Sequence, residues 1–142
     1  MPTVQKISKT PAQRAIERAE RILPGRPAPE GKPDPRWQAI IKVGEYIEDD
    51  PLEVWRFARK WGARGDVDLR AAIATCLVEH LLERHFERII PLVEEACDQS
   101  KRFAETVSLC WEFGQTESAK NRRRFKRLLQ TIRERSAQDG LE

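Results

Sequence analysis

Apolar residues recur along this chain at three- and four-residue intervals, and no stretch alternates every second residue as a half-buried strand would. The first stripe, Ala12, Ala15, Ile16, Ala19, Ile22 and Leu23, predicts a helix over 11–23. Thr10-Pro11 supplies a cap and a proline at the first helical position, and Pro24-Gly25 ends the pattern. Residues 24–33 hold four prolines and two glycines, so they predict a stiff, extended linker. The next two helices open at Asp34-Pro35 and Asp50-Pro51, where each Asp can accept from free N–H groups. Their buried stripes are Trp37, Ile40, Ile41, Gly44 and Ile47, then Val54, Phe57, Ala58 and Trp61 before Gly62. Trp55 falls off its helix's stripe, which leaves it either packed on a neighbouring helix or facing a partner.

A longer helix is predicted over 67–84, with Leu69, Ala72, Ile73, Cys76, Leu77 and Leu81 inward. Another covers 86–97, and Pro91 inside it predicts a kink. Phe103, Val107, Cys110 and Trp111 form one face over 100–113, and Thr116 is expected to cap a last helix to about Ser136. Residues 1–10 and 137–142 read as disordered ends of a single domain, 11–136.

The pattern also repeats. Asp34, Asp66 and Asp98 are each 32 residues apart, and the pairs Arg70/Arg102, Ala72/Ala104 and Leu77/Leu109 share that offset. The unit is a helical hairpin, which cannot bury its apolar face alone but can do so by stacking. Asp66-Val67-Asp68-Leu69-Arg70-Ala71-Ala72-Ile73-Ala74-Thr75-Cys76-Leu77 resembles the start of the second helix of a HEAT repeat, and Ile89-Ile90-Pro91-Leu92-Val93-Glu94-Glu95 resembles the first. Asp34-Pro35-Arg36-Trp37-Gln38-Ala39-Ile40 is a weaker copy. The resemblance implies an all-α, right-handed α-solenoid of about three hairpins plus a C-terminal capping helix. It also implies that second helices line a concave surface. Arg70 and Arg102 would then form an internal ladder with acids such as Asp66, Asp68 or Asp98, or else face a partner.

Charge changes this picture. Residues 1–44 carry 9 basic and 4 acidic side chains, 45–95 carry 7 and 12, 96–116 carry 2 and 3, and 117–142 carry 8 and 4. The net charge of +3 therefore hides an acidic body between two basic ends. The three second helices (36–49, 66–84, 101–112) sum to 6 basic and 9 acidic residues, so their surface suits a protein segment bearing Lys or Arg better than a phosphate backbone. The expected function is a non-catalytic adaptor that contacts a protein partner through Trp55, Arg70, Glu79, Glu83, Glu105 and Glu112. The alternative is a nucleic-acid module using Lys120, Arg122, Arg123, Arg124, Lys126 and Arg127, six cations in eight residues.

Candidate chemistry is sparse. Cys76, Cys97 and Cys110 are an odd number without close spacing, which predicts no disulfide framework and a reducing, cytoplasmic setting. The N-terminus has no apolar core of a secretory signal, and no apolar run is long enough to span a membrane. Glu79, His80, Glu83 and His85 are the only clustered metal-ligand types; His80 and Glu83 share a helix face, but a site needs more ligands, so no metal or cofactor is expected. A distant resemblance to HEAT-type DNA alkylation-repair glycosylases would place Trp55 and Trp61 beside Glu79 or Glu83.

Overall fold

Side-chain caps set where the helices begin. The Thr10 hydroxyl accepts from the Gln13 N–H while the Gln13 side chain accepts from the Thr10 N–H, a reciprocal capping box. Asp34 accepts from the Arg36 N–H and Asp66 from the Leu69 N–H. Asp50, expected to act likewise, makes no side-chain cap, so the next helix starts on Pro51 and the acidic Glu53 of its first turn. The computed structural model describes residues 8–139. Its elements are α1 (Pro11–Ile22), α2 (Pro35–Gly44), α3 (Pro51–Trp61), α4 (Val67–Ile73), a π-turn (Ala74–Val78), α5 (Glu79–Gln99), α6 (Lys101–Val107), a 3-10 turn (Gly114–Glu117) and α7 (Ala119–Asp139). All regular structure among these residues is helical, and no helix there is long and apolar enough to cross a membrane.

The described residues reach into both ends that the sequence predicts to be disordered. Lys9 pairs with Glu17, and its carbonyl accepts from the Arg14 guanidinium. α7 runs on to Asp139, whose carboxylate lies 3.3 Å from the Lys101 ammonium. The remainder of the expected disordered ends, 1–7 and 140–142, lies outside the described residues. The linker is helix-free but turns at its end, where Lys32 donates to the Pro29 carbonyl and Gly31 adopts φ +84°.

The helices alternate between two sets. α1, α3, α5 and α7 contact one another in chain order, and so do α2, α4 and α6. One continuous apolar core lies between them, from Ala19 and Leu23 to Phe125 and Ile132. Trp55 belongs to that core: its ring meets Phe103 edge-on, 5.6 Å between centroids. It is no partner-facing anchor, because its position off its own helix's stripe aims it at α6. Burying such a side chain is worth roughly 1.5–3 kcal/mol. Trp61 is also buried and donates to Glu20, so the aromatic pair expected of a glycosylase pocket is interior packing.

Polar bonds tie the second set together. The Arg36 guanidinium is 3% exposed and reaches Asp34, Asp66 and Asp68 at 3.1–3.3 Å, while the Trp37 indole donates to Asp68 at 3.0 Å. The same arginine thus secures the carboxylates that cap α2 and α4. Arg70 continues the line by donating to Glu105 on α6 at 3.3 Å. The ladder therefore runs through Arg36 and Arg70, whereas Arg102 is exposed. The 32-residue spacing of capping aspartates does not extend to Asp98, because Ser100 caps α6.

Two departures from regular helix matter for the surface. The long helix predicted over 67–84 is interrupted by the π-turn, where Glu79 donates to the Ala74 carbonyl. The second break is at His85 (φ −140°, ψ 46°), not at Pro91, which sits exposed within α5. The Gln115 side chain spans the break: its carbonyl accepts from the Phe86 N–H at 2.9 Å and its amide donates to the Arg84 carbonyl at 2.8 Å. Gln115 thereby gives partners to one backbone donor and one backbone acceptor beside the break.

Candidate functional site

The π-turn faces α2 across a groove of about 450 Å³. Gly44 makes the approach close, since a Cβ there would sit 3.4 Å from the Cys76 carbonyl and from a Leu77 methyl. Ile41, half exposed, forms one apolar wall, and Thr75 and Cys76 form the opposite one. Insertions of this kind re-aim side chains and recur at functional surfaces. The Thr75 hydroxyl is turned back onto the Ala71 carbonyl at 2.8 Å.

Charged side chains also line the groove. Glu45, Glu48 and Glu83 line the groove with one guanidinium, that of Arg84, leaving two negative charges in excess. Arg84 lies 3.1 Å from Glu48 and 3.6 Å from Glu83, while Lys42 lies 3.1 Å from Glu45. These pairs are exposed or half exposed and stabilise little, so a partner can exchange them for its own contacts. His80 Nδ1 is 3.0 Å from Glu83, and its ring stacks on Phe113 with centroids 6.4 Å apart. Across the break, the second histidine, His85, bonds the Ile47 carbonyl. No group of three or more His, Cys, Asp and Glu among the described residues is arranged to hold a metal ion.

Beside this groove runs a ledge the periodicity did not predict. Trp111 was expected on the buried stripe of a helix over 100–113, but α6 ends at Val107 and Trp111 is 73% exposed. Leu109 and Phe113 are exposed beside it in sequence. Two tertiary bonds pull the chain out of helix: the Trp111 N–H donates to Glu79 at 2.8 Å, and the Cys110 thiol donates to the Ala74 carbonyl of the π-turn at 3.5 Å. Gly114 (φ +52°) completes the turn against Glu83, with no room for a Cβ. Burial raises the Glu79 carboxyl above its ordinary value, although the Trp111 N–H and His80 pull the other way.

The expected contact residues divide accordingly. Glu83 lines the groove. Glu79 is 5% exposed and serves the ledge from beneath, and Arg70 is 9% exposed and serves the ladder; neither is available to a partner. Glu105 and Glu112 reach the surface but hold Arg70 and Arg122. Burial works against thiolate formation at all three cysteines. Burial pushes Cys97 up to about 12 and raises Cys110 and the half-buried, groove-lining Cys76. Of the basic cluster on α7, Arg122 pairs with Glu112, and Arg124 pairs with Glu94 through two bonds at 2.7 and 3.3 Å. Lys120, Arg123, Lys126 and Arg127 are exposed without an ion pair among the described residues. No protein-family model matches this chain, and no curated protein or solved structure matches it.

Proposed function

We propose that this chain is a HEAT-like adaptor, a right-handed stack of three helical hairpins (α1/α2, α3/α4, α5/α6) capped by α7, that binds a protein partner on the side formed by α2, α4, α6 and the part of α5 before the break at His85. The ordered contacts within each helix set support the stack. The observation that carries the function is the exposed Trp111–Phe113 ledge beside a groove lined by Ile41, Cys76 and three glutamates. A large, rigid aromatic fixed by its own backbone bond to Glu79 is the kind of residue that dominates interface energies. The partner suited to it is a segment with apolar side chains for Ile41 and Cys76, and Lys or Arg for Glu45, Glu48 and Glu83.

The test uses a labelled amphipathic peptide of Leu and Arg, followed by fluorescence anisotropy, with a Leu and Glu peptide as charge control. The Leu/Arg peptide is expected to bind, and Trp111→Ala to weaken it about tenfold or more with the melting temperature unchanged. Equal binding of both peptides, or binding indifferent to Trp111, would overturn the assignment. Trp111 is also expected to dominate acrylamide quenching of tryptophan emission, because Trp55 and Trp61 are buried and Trp37 is partly buried.

A further inference from the structure

α7 has two faces. Phe125, Leu128 and Ile132 are buried against the rest of the molecule, and α7 contacts α5, α6 and the 3-10 turn. The opposite face carries Lys120, Arg123, Lys126, Arg127 and Arg133, all exposed and outside every ion pair among the described residues. Glu134 is the acid on that side, and Gln130 donates to it. From Lys120 to Arg133, thirteen helical steps, these cations span roughly 20 Å. Their neighbours Arg122, Arg124 and Arg135 are held by Glu112, Glu94 and Asp98, so the acids of the body neutralise the flanks of the helix and leave its outer stripe free.

We infer that this stripe binds the phosphate backbone of a nucleic-acid duplex, on a face separate from the groove. Three features select that ligand. The stripe contains no apolar or aromatic residue, so it lacks the anchor a protein interface is built around. The apolar face of α7 is already buried, so the helix cannot lie in a bilayer interface. The stripe itself presents no ring on which an unpaired base could stack, and the exposed Trp111 lies off it, which favours duplex over single strand. A row of cations on one rigid helix matches a regular line of phosphates and carries no sequence information.

The experiment titrates the full chain against a labelled DNA duplex and an RNA duplex of equal length, with single-stranded DNA and phosphatidylserine vesicles as separate arms, over 50–200 mM salt. About four phosphate contacts give a slope of log K against log salt of roughly −3 to −4. Arg123→Glu/Arg127→Glu is expected to flatten that slope by about 2 and to weaken binding about a hundredfold at low salt. Arg26→Glu/Arg64→Glu makes the same change in net charge at two other exposed sites and is expected to leave the slope intact. Melting curves of both variants check folding. Tighter binding to one duplex type names the duplex and supports the inference. Absence of duplex binding at low salt, equal losses in the two variants, or preference for vesicles or single strands would overturn it.

Discussion

Arg36→Met is expected to lower the unfolding free energy by about 3 kcal/mol at neutral pH. The guanidinium is buried and reaches three carboxylates, two of which cap helices, so its removal loosens α2 and α4 together. Met keeps most of the packing, which isolates the loss of charge and hydrogen bonds. The cost stays moderate because Asp66 and Asp68 are more than half exposed and can return to water. The effect is pH-dependent with a defined sign. Burial works to raise the Asp34 carboxyl, but hydrogen bonds and the charge of Arg36 outweigh it and hold it below its ordinary value of 3.8. The Leu69 N–H, and then Arg36, do the same for Asp66. Carboxylates lowered in the folded state contribute stability that is complete above 3.8 and lost as pH falls through the lowered values. Urea unfolding should therefore show the full wild-type-to-Met gap at neutral pH and a shrinking gap in acid. A gap that stays constant with pH would mean the arginine acts through packing alone.

Replacing Glu79 should separate two roles of one carboxylate. Glu79→Ala leaves the Trp111 N–H without its acceptor and is expected to cost about 2 kcal/mol. It should also weaken the Leu/Arg peptide, since the ledge loses the bond that fixes it. Glu79→Gln keeps an acceptor and removes a buried charge, so it should retain peptide binding and be at least as stable as wild type at neutral pH. Because burial raises the folded-state value of Glu79, its ionisation opposes folding. Its contribution to stability grows as pH falls from the raised value towards the ordinary 4.5 and is constant below it. That rise should be present in wild type and absent in Glu79→Gln, opposite in sign to the acid loss at Asp34 and Asp66. Peptide binding unaffected by Glu79→Ala would show that the ledge holds its shape by other means.

How far the site could be read from the chain depends on the range of the interaction involved. The helix starts at Thr10, Asp34 and Asp66 were legible because each cap bonds an N–H two or three residues on. Asp98 misled because Ser100, two residues later, offers a better cap to the same helix. Trp111 misled because helical spacing runs on through it, and the acceptor that extracts its N–H lies 32 residues away on α5. Arg70 and Glu79 looked like surface contacts because a charged side chain in a sequence reads as solvated. Only the packing reveals the partners that make burial tolerable.

The all-helical class, the main helix stripes, the break before Phe86 and the charge division between body and terminal helix were all readable from the chain. These follow from periodicity and from contacts within a few residues. Which charges are paired and which face outward follows from the packing of the helices. That packing assigned Arg36 rather than Arg102 to the ladder, consumed Arg122 and Arg124 in ion pairs, and left Lys120, Arg123, Lys126 and Arg127 facing outward. It also turned Trp55 inward and Trp111 outward. The physical reason is common to all of them: a side chain's availability depends on what lies opposite it in space, and those groups come from helices some thirty residues apart in the chain.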